Sequence, residues 1–299
     1  MAEKLRIGTV RFLNAWPLVF GLKDRADVEL RAEVPSALGP MLARGEVDVA
    51  LAPSIEYFRL ASEGAERARA AGALESGTGI LPVVSDRLEA CSTHRVALVV
   101  LPVAAIGSRG AIGSVKLFGF AEQDRLRRVL LDPASRTSNA LARVLVVRRL
   151  GCTPHFVMPE EIGLTPPRPP DAEVVIGDRA LTAERPGAKW VRDLGEEWHR
   201  FMRLPFVYAF WMARTDAPLG RLTEMLAEAR DRGLAARESI AEKAARELGL
   251  PGDVARRYLL DEVRYGFGPK EQEGLRAFYR MAAEEGLAPE GVRLNLVKP

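Results

Sequence analysis

Short apolar runs alternate with longer stretches of mixed polarity over the first two thirds of the chain. Leu5 to Val10 reads as a buried strand, Val28 to Val34 as a second, and Val47 to Ala52 as a third. Between the second and third, Pro35-Ser36 opens a helical stretch with Leu38, Met41 and Leu42 on one face, and Gly45 closes it. Pro40 falls within its first turn, where a missing N–H costs least. Phe12 to Gly21 carries Pro17 near a helix start, and Pro53-Ser54 opens another helix after the third strand. Apolar runs recur at Val96 to Ile106, Ser114 to Phe118, Val129 to Leu131, Glu173 to Ile176 and Pro205 to Met212. This order predicts α/β architecture, with parallel strands covered by helices. Residues 61–80 are weakly patterned, and Thr165 to Pro170 is a proline-rich loop. From Ala217 onward the pattern is almost all helical, punctuated at Gly233, Gly249 to Gly252, Gly266 and Gly286.

A length of 299 residues suggests two domains, because a single core rarely grows much beyond ~250–300 residues. The pattern fits two α/β lobes joined by crossing strands at Ile106-Gly107 and Phe206 to Trp211. The expected division is residues 1–106 plus 212–299 for one lobe, including the helical tail, and 107–211 for the other. A ligand would then sit between the lobes, where strand ends and helix starts converge. Asn14, Ser36, Ser54, Ser108, Ser135 to Ser138 and Asp178 each follow a predicted strand, so one shared site would gather them. Helix capping accounts separately for Ser36, Ser54 and Ser135, and Asn14 also suits a strand-to-helix turn.

The densest of these signals is Arg128 to Asn139, running into Ala140 to Arg149. A short strand ends at Asp132-Pro133, Ser135 takes the N-cap position, and Gly151 stops the helix. Free N–H groups and the macrodipole at a helix start attract anions. Arg136, Thr137, Ser138 and Asn139 add a guanidinium, hydroxyls and an amide at that point, which suits a carboxylate or phosphate.

Composition narrows the partners. A net charge of +3 is small for this length, and no long basic run or RNP-like aromatic pattern appears, so nucleic acid is not expected. No window of ~18 uncharged apolar residues is found, so no membrane span is expected. The first residues lack the apolar region of a secretory signal, which suggests a cytoplasmic protein. Two cysteines, Cys91 and Cys152, give no disulfide framework. Cys91 to His94 has ligand-like spacing without a second pair, so neither a metal nor another cofactor is expected. Oligomeric state is left open.

Several segments resemble a known family. Phe12-Leu-Asn-Ala-Trp-Pro-Leu-Val-Phe-Gly-Leu22 is similar to the N-terminal motif of the chorismate dehydratases of the futalosine route to menaquinone. Pro35-Ser36, Gly45 to Tyr57, Ile106 to Phe118, Asp132 with Ser135 to Ser138, Ile176 to Leu181, Asp193 to Trp198 and Leu204 to Trp211 resemble its later blocks in order. A sister family that makes 1,4-dihydroxy-6-naphthoate carries a Cys-Pro-Asn-type block where this chain has Leu13-Asn14, which favours the dehydratases. The stretch from about Ser62 to Val100 looks longer than the family pattern.

The resemblance implies a two-lobed type II periplasmic-binding-protein-like fold with a helical C-terminal region. It also implies a small dicarboxylate substrate and a lyase that dehydrates chorismate to 3-[(1-carboxyvinyl)oxy]benzoate. Asn14 and Ser108 map onto the family's active-site Asn and Ser. Ser36, Ser54, Arg109, Ser135, Arg136, Thr137, Ser138, Asn139 and Asp178 are the expected substrate-binding set. In the family the substrate's own enolpyruvyl carboxylate is proposed as the base. Ser108 is not expected to act as a nucleophile, having no basic partner in the motifs. His94, His155 and His199 are expected at the surface or in packing, with His155 kept open as a base. Trp16, Phe206, Tyr208 and Trp211 are expected to pack the core or hinge. A non-catalytic binding module for an anionic small molecule and the sister 1,4-dihydroxy-6-naphthoate synthase are the alternative functions.

Overall fold

The computed structural model describes residues 4–70, 97–162 and 169–297. The Cys91–His94 pair and the proline-rich loop from Thr165 to Arg168 lie outside the described residues, as does most of the longer stretch after Ser62.

The chain opens with β1 (Leu5–Val10), a 3-10 turn (Leu13–Val19), β2 (Val28–Glu33), α1 (Pro35–Ala43), β3 (Val49–Pro53), α2 (Ser54–Ala70) and β4 (Leu98–Ser108). It then runs through β5 (Val115–Gly119), β6 (Arg128–Leu130), α3 (Arg136–Arg148), β7 (His155–Val157), α4 (Pro159–Ile162), β8 (Ala172–Ile176), α5 (Asp178–Leu181), β9 (Trp190–Asp193) and α6 (Leu194–Met202). The return is β10 (Phe206–Arg214), followed by α7 (Leu219–Ala235), α8 (Arg237–Leu248), α9 (Gly252–Arg257), a π-helical turn (Tyr258–Glu262) and α10 (Pro269–Glu284).

Two five-stranded sheets result, ordered β2-β1-β3-β10-β4 and β7-β6-β8-β5-β9. Each combines parallel pairs with one antiparallel strand, β10 in the first sheet and β5 in the second. The repeating strand-helix pattern anticipated the parallel part. The antiparallel strands are those by which the chain enters one lobe or returns to the other. The expected cuts at 106/107 and 211/212 fall inside β4 and β10, which pair with each other from Phe206–Ser108 to Arg214–Leu98 in the first sheet. The chain therefore changes sheets after Ser108 and before Phe206.

Strands β1 and β3 are buried on both faces and so read as continuous apolar runs. Ile7, Leu38, Leu42, Leu51, Phe210, Trp211 and Met212 form the centre of the first core. Trp198 of α6 packs edge-on against Phe206 and Phe278, which ties α6 to β10 and α10. After α10 the chain does not stay helical to its end: Asn295 and Val297 exchange backbone hydrogen bonds with Val100 along the outer edge of β4. Two short strands, β7 and β9, carry too few alternating positions to have stood out in the sequence.

Candidate functional site

A cavity with about 460 Å³ of empty space, counted out to its mouth, lies between the two lobes. The first lobe supplies Val10, Phe12, Asn14, Pro35, Pro53, Ile106, Tyr208 and Ala209 to its wall. The second supplies Ile112, Ser114, Val115, Ser135, Ser138, Ile176 and Gly177. Among the described residues, the wall thus holds hydroxyls, one amide and apolar groups, and no ionisable acid, base or cation apart from the Tyr208 phenol.

Three helix starts converge here. Pro35 begins α1, Pro53 immediately precedes α2, and Ser135 caps α3, its Oγ accepting the Ser138 N–H at 3.2 Å. Their positive dipole ends provide an anion-attracting field without a formal charge. Ser135 also donates to Ser138 Oγ at 3.1 Å.

Asn14 sits in the 3-10 turn after β1. Its Nδ2 donates to the Tyr258 hydroxyl at 3.0 Å, and that hydroxyl donates to Ser114 Oγ at 2.9 Å. Asn14 Oδ1 is buried and has no hydrogen-bond partner among the described residues. Tyr258 is fully buried, and loss of solvent holds its phenol above the usual tyrosine range, so it stays a neutral donor. Ser108, at the end of β4, is buried with its Oγ 3.4 Å from the Tyr208 hydroxyl. Tyr208 is skipped in the β4–β10 ladder: Val207 pairs with Gly107 and Ala209 with Ile106. This bulge lets consecutive residues Tyr208 and Ala209 both reach the cavity. Gly195 closes against the same pair. A β carbon there would lie 2.7 Å from Ser108 Oγ and 2.8 Å from the Tyr208 hydroxyl.

The other expected residues divide into supports and bystanders. Ser54 donates to the Val207 carbonyl at 2.9 Å, and Thr137 Oγ1 accepts the Ile55 N–H at 3.2 Å, so both hydroxyls fasten elements behind the wall. Asn139 clamps Asp132 through its own amide, with Oδ1 accepting at 3.1 Å and Nδ2 donating at 2.7 Å. Ser36 occupies the first turn of α1, half-buried beside Pro35, and the helix is not capped by a side chain. Arg136 turns away from the cavity and pairs with Glu56 at 3.1 Å. The reason is electrostatic: Glu56 is 1% exposed and needs counter-charge, which Arg136 and Arg59 supply. Arg109 is exposed beyond Ser108 and does not reach the wall.

Asp178 acts across the cleft. Its two carboxylate oxygens accept the Leu13 N–H at 3.0 and 3.2 Å. Burial raises its pKa to about 6, against the opposing pull of that N–H and of Arg11. Beside it, Gly177 has a φ of 75°, and a β carbon there would sit 2.6 Å from the Phe12 ring. Asp193 is a half-buried carboxylate near the cleft. It caps α6 through Glu196 N–H at 3.0 Å and accepts Gly113 N–H at 2.6 Å, while burial raises its pKa. His155 is exposed on β7, and His199 lies 3.4 Å from the Leu204 carbonyl; neither lines the cavity. Phe206 and Trp211 pack in the core, whereas Tyr208 serves the wall. Among the described residues, no group of three His, Cys, Asp or Glu is placed to hold a metal ion, and no helix is long and apolar enough to cross a membrane.

Comparison with known proteins places this cleft in context. A family described as menaquinone biosynthesis matches residues 5–99 and 88–284. The chain belongs to this menaquinone biosynthesis family. It is 29% identical over 289 residues to a chorismate dehydratase of Thermus thermophilus, covering 91% of this chain and 93% of that one. Members of the family thus share nearly the whole length of the chain, both lobes included. Among solved structures, the chain is similar to a protein of Archaeoglobus fulgidus, with a TM-score of 0.61, 16% identity, and coverage of 95% of this chain and 98% of that one. It is also similar to the periplasmic aliphatic sulphonate binding protein of Escherichia coli, with a TM-score of 0.57, 18% identity, and coverage of 100% and 93%. The fold of this family member is accordingly that of the periplasmic binding proteins, as its motifs implied.

Proposed function

We propose that the protein is a chorismate dehydratase, converting chorismate to 3-[(1-carboxyvinyl)oxy]benzoate and water. The observation that carries this reading is the interlobe cavity itself. It brings Asn14 and the start of α3 to one space, in a chain 29% identical to a chorismate dehydratase.

The reaction removes the ring C3 proton, breaks the C4–O bond and leaves an aromatic ring. C3 is vinylogous to the ring carboxylate, so losing its proton drives negative charge toward that carboxylate. Ser135, Ser138 and the start of α3 supply neutral donors there, and such preorganised dipoles act where charge develops. A hydrogen bond to a charged group contributes about 1.5–3 kcal/mol. A helix terminus adds roughly 0.3–1 kcal/mol, and up to ~2 when partly buried. A full enzymatic acceleration is ~8 kcal/mol or more, so positioning must contribute the remainder.

Among the described residues, the wall holds no carboxylate or imidazole to take the proton. Asp178 is committed to the Leu13 N–H beside it. This composition favours proton transfer to the substrate's enolpyruvyl carboxylate, which then passes the proton to the departing hydroxyl to make water. Asn14 and Ser108 are assigned to orienting the side-chain carboxylate or the C4 hydroxyl. Ser54, Thr137 and Asn139 hold the elements behind the helix starts that face the ligand, and Ser36 lies in the first turn of α1.

Incubating the purified protein with chorismate and following ultraviolet absorbance and mass tests the reading. A product lighter by one water supports it. Chorismate bound but left unchanged would favour a non-catalytic binder, a role that the likeness to solute-binding folds makes concrete. Absence of chorismate binding would remove the proposal.

A further inference from the structure

One buried phenol belongs to no part of the site that the sequence marked. Tyr258 opens the π-helical turn between α9 and α10, far along the chain from Asn14 and Ser114, the side chains that its hydroxyl meets. Single π turns inside or beside α-helices recur at functional sites because they displace one side chain from the regular helical face. The segment that follows the turn is fixed to the end of β4. Gly107 and Arg264 exchange backbone hydrogen bonds at 2.8 Å in both directions, and Ala105 N–H donates to the Tyr265 carbonyl at 3.2 Å. The phenol is thereby held between Asn14 of the first lobe and Ser114 of the second.

A phenol has a single hydrogen, so its two neighbours cannot be treated alike. With that hydrogen given to Ser114 Oγ, the Tyr258 oxygen can only accept from Asn14. Asn14 must then turn Nδ2 toward Tyr258 and Oδ1 away from it, and Oδ1 is the buried oxygen without a partner. Asn14 and Ser114 both line the cavity. The Ser114 hydroxyl, having accepted from Tyr258, keeps its own hydrogen to donate. The pair therefore offers an acceptor at Asn14 and a donor at Ser114. If the phenol donated to Asn14 instead, both polarities would reverse.

We propose that Tyr258 is a positioning residue for the dehydration: shared between Asn14 and Ser114, its hydroxyl sets the Asn14 amide so that Oδ1 accepts the hydrogen of the substrate's ring hydroxyl. This inference rests on the chorismate dehydratase reading. It chooses between the two roles proposed above for Asn14, because an amide oxygen binds a hydroxyl and repels a carboxylate. The bond fixes the direction of the leaving oxygen, while the proton that departs with it comes from elsewhere.

Tyr258→Phe, in the full-length protein, is the direct test. Freed of the phenol, the amide can present either end, and the loss of an uncharged hydrogen bond corresponds to an effect of up to about tenfold. The expected result is a fall in kcat/KM for chorismate of about tenfold. Binding of the product, which has no ring hydroxyl, should stay within about twofold of wild type because it makes no use of that bond. Ser114→Ala removes the acceptor of the phenol's hydrogen and should lower kcat in the same direction. The double variant should lose little beyond the worse single variant, since both act on one amide. Wild-type kcat/KM in Tyr258→Phe, or equal weakening of chorismate and product, overturns the proposal and leaves the dehydratase reading standing. Failure of the wild-type protein to turn over chorismate overturns both. If Tyr258→Phe does not fold, Ser114→Ala decides by the contrast between ligands: a lower kcat/KM for chorismate with product affinity kept within about twofold supports the role, and equal weakening of both, or unchanged kcat/KM, ends it.

Discussion

Replacing Asp178 by asparagine should stabilise the protein at neutral pH and not at acid pH. The carboxylate is largely removed from solvent, and among the described residues its one close donor is the Leu13 N–H at 3.0 and 3.2 Å. Arg11 contributes a weaker favourable field, and burial still raises the pKa from 3.8 to about 6. The folded protein therefore holds this proton more tightly than the unfolded chain. Stability from this group is fully present below the unfolded pKa, falls as pH rises toward about 6, and stays lost above it. The gap between 3.8 and about 6 corresponds to about 3 kcal/mol at 1.36 kcal/mol per pH unit. Asparagine keeps an oxygen for Leu13 N–H but brings an amide NH2 that must find its own partner, which offsets part of the gain. A net stabilisation of about 1–3 kcal/mol at pH 7.5 is expected, moving by about 3 kcal/mol toward destabilisation as the pH falls to 4, where only the cost of the amide NH2 remains. Urea unfolding of both proteins at half-unit pH steps reads this directly. A difference that does not vary with pH, or a loss of stability at pH 7.5, would refute the account of Asp178. The same charge lies beside a cavity proposed to hold a dianion, so wild-type kcat/KM for chorismate should decline through about pH 6 and the variant should flatten that decline.

Arg136→Ala leaves buried Glu56 with Arg59 alone; because Arg136 is 49% exposed and screened, the cost should be about 1–2 kcal/mol, seen by denaturant unfolding. KM for chorismate should change by less than about threefold, and a much larger rise would return that guanidinium to the substrate. Ser138→Ala removes a wall hydroxyl at the start of α3, and losing one bond of about 1.5–3 kcal/mol to an anion should raise KM roughly 10- to 150-fold in steady-state kinetics. Gly195→Ala places a methyl 2.7 Å from Ser108 Oγ and from the Gly110 carbonyl, so Ser108 must move and kcat should fall by about tenfold or more. Retention of wild-type kcat in a folded Gly195→Ala protein would detach Ser108 from catalysis.

Much of this architecture was legible because buried parallel strands leave continuous apolar runs, and β1, β2 and β3 were marked to within about two residues. Ser135 as a cap was equally legible, since its side chain acts within one turn of sequence. What escaped depends on distance. Arg136 looked like a ligand because the chain shows its place at a helix start but not the Glu56 carboxylate 80 residues away. Tyr258 lies 244 residues from Asn14, in a helical tail with no strand end to flag it. Tyr208 was read as packing because the alternation of β10 hides a bulge, and only the pairing with β4 exposes it. The resemblance of short motifs to a family supplied Asn14 and Ser108. Their partners came only with the fold.

The placement of β10 sets an order of assembly. All five strands of the second sheet lie between Val115 and Asp193, an uninterrupted run of chain, whereas the first sheet waits for Phe206 to Arg214 to fill the gap between β3 and β4. Local pairings form before distant ones, so the inserted half should mature while the half that precedes it is still an open array lacking its middle. Pulse-labelled hydrogen exchange during refolding should show amides of β5, β6 and β8 protected ahead of those of β1 and β3. The N-terminal sheet, although synthesised first, becomes the last to close.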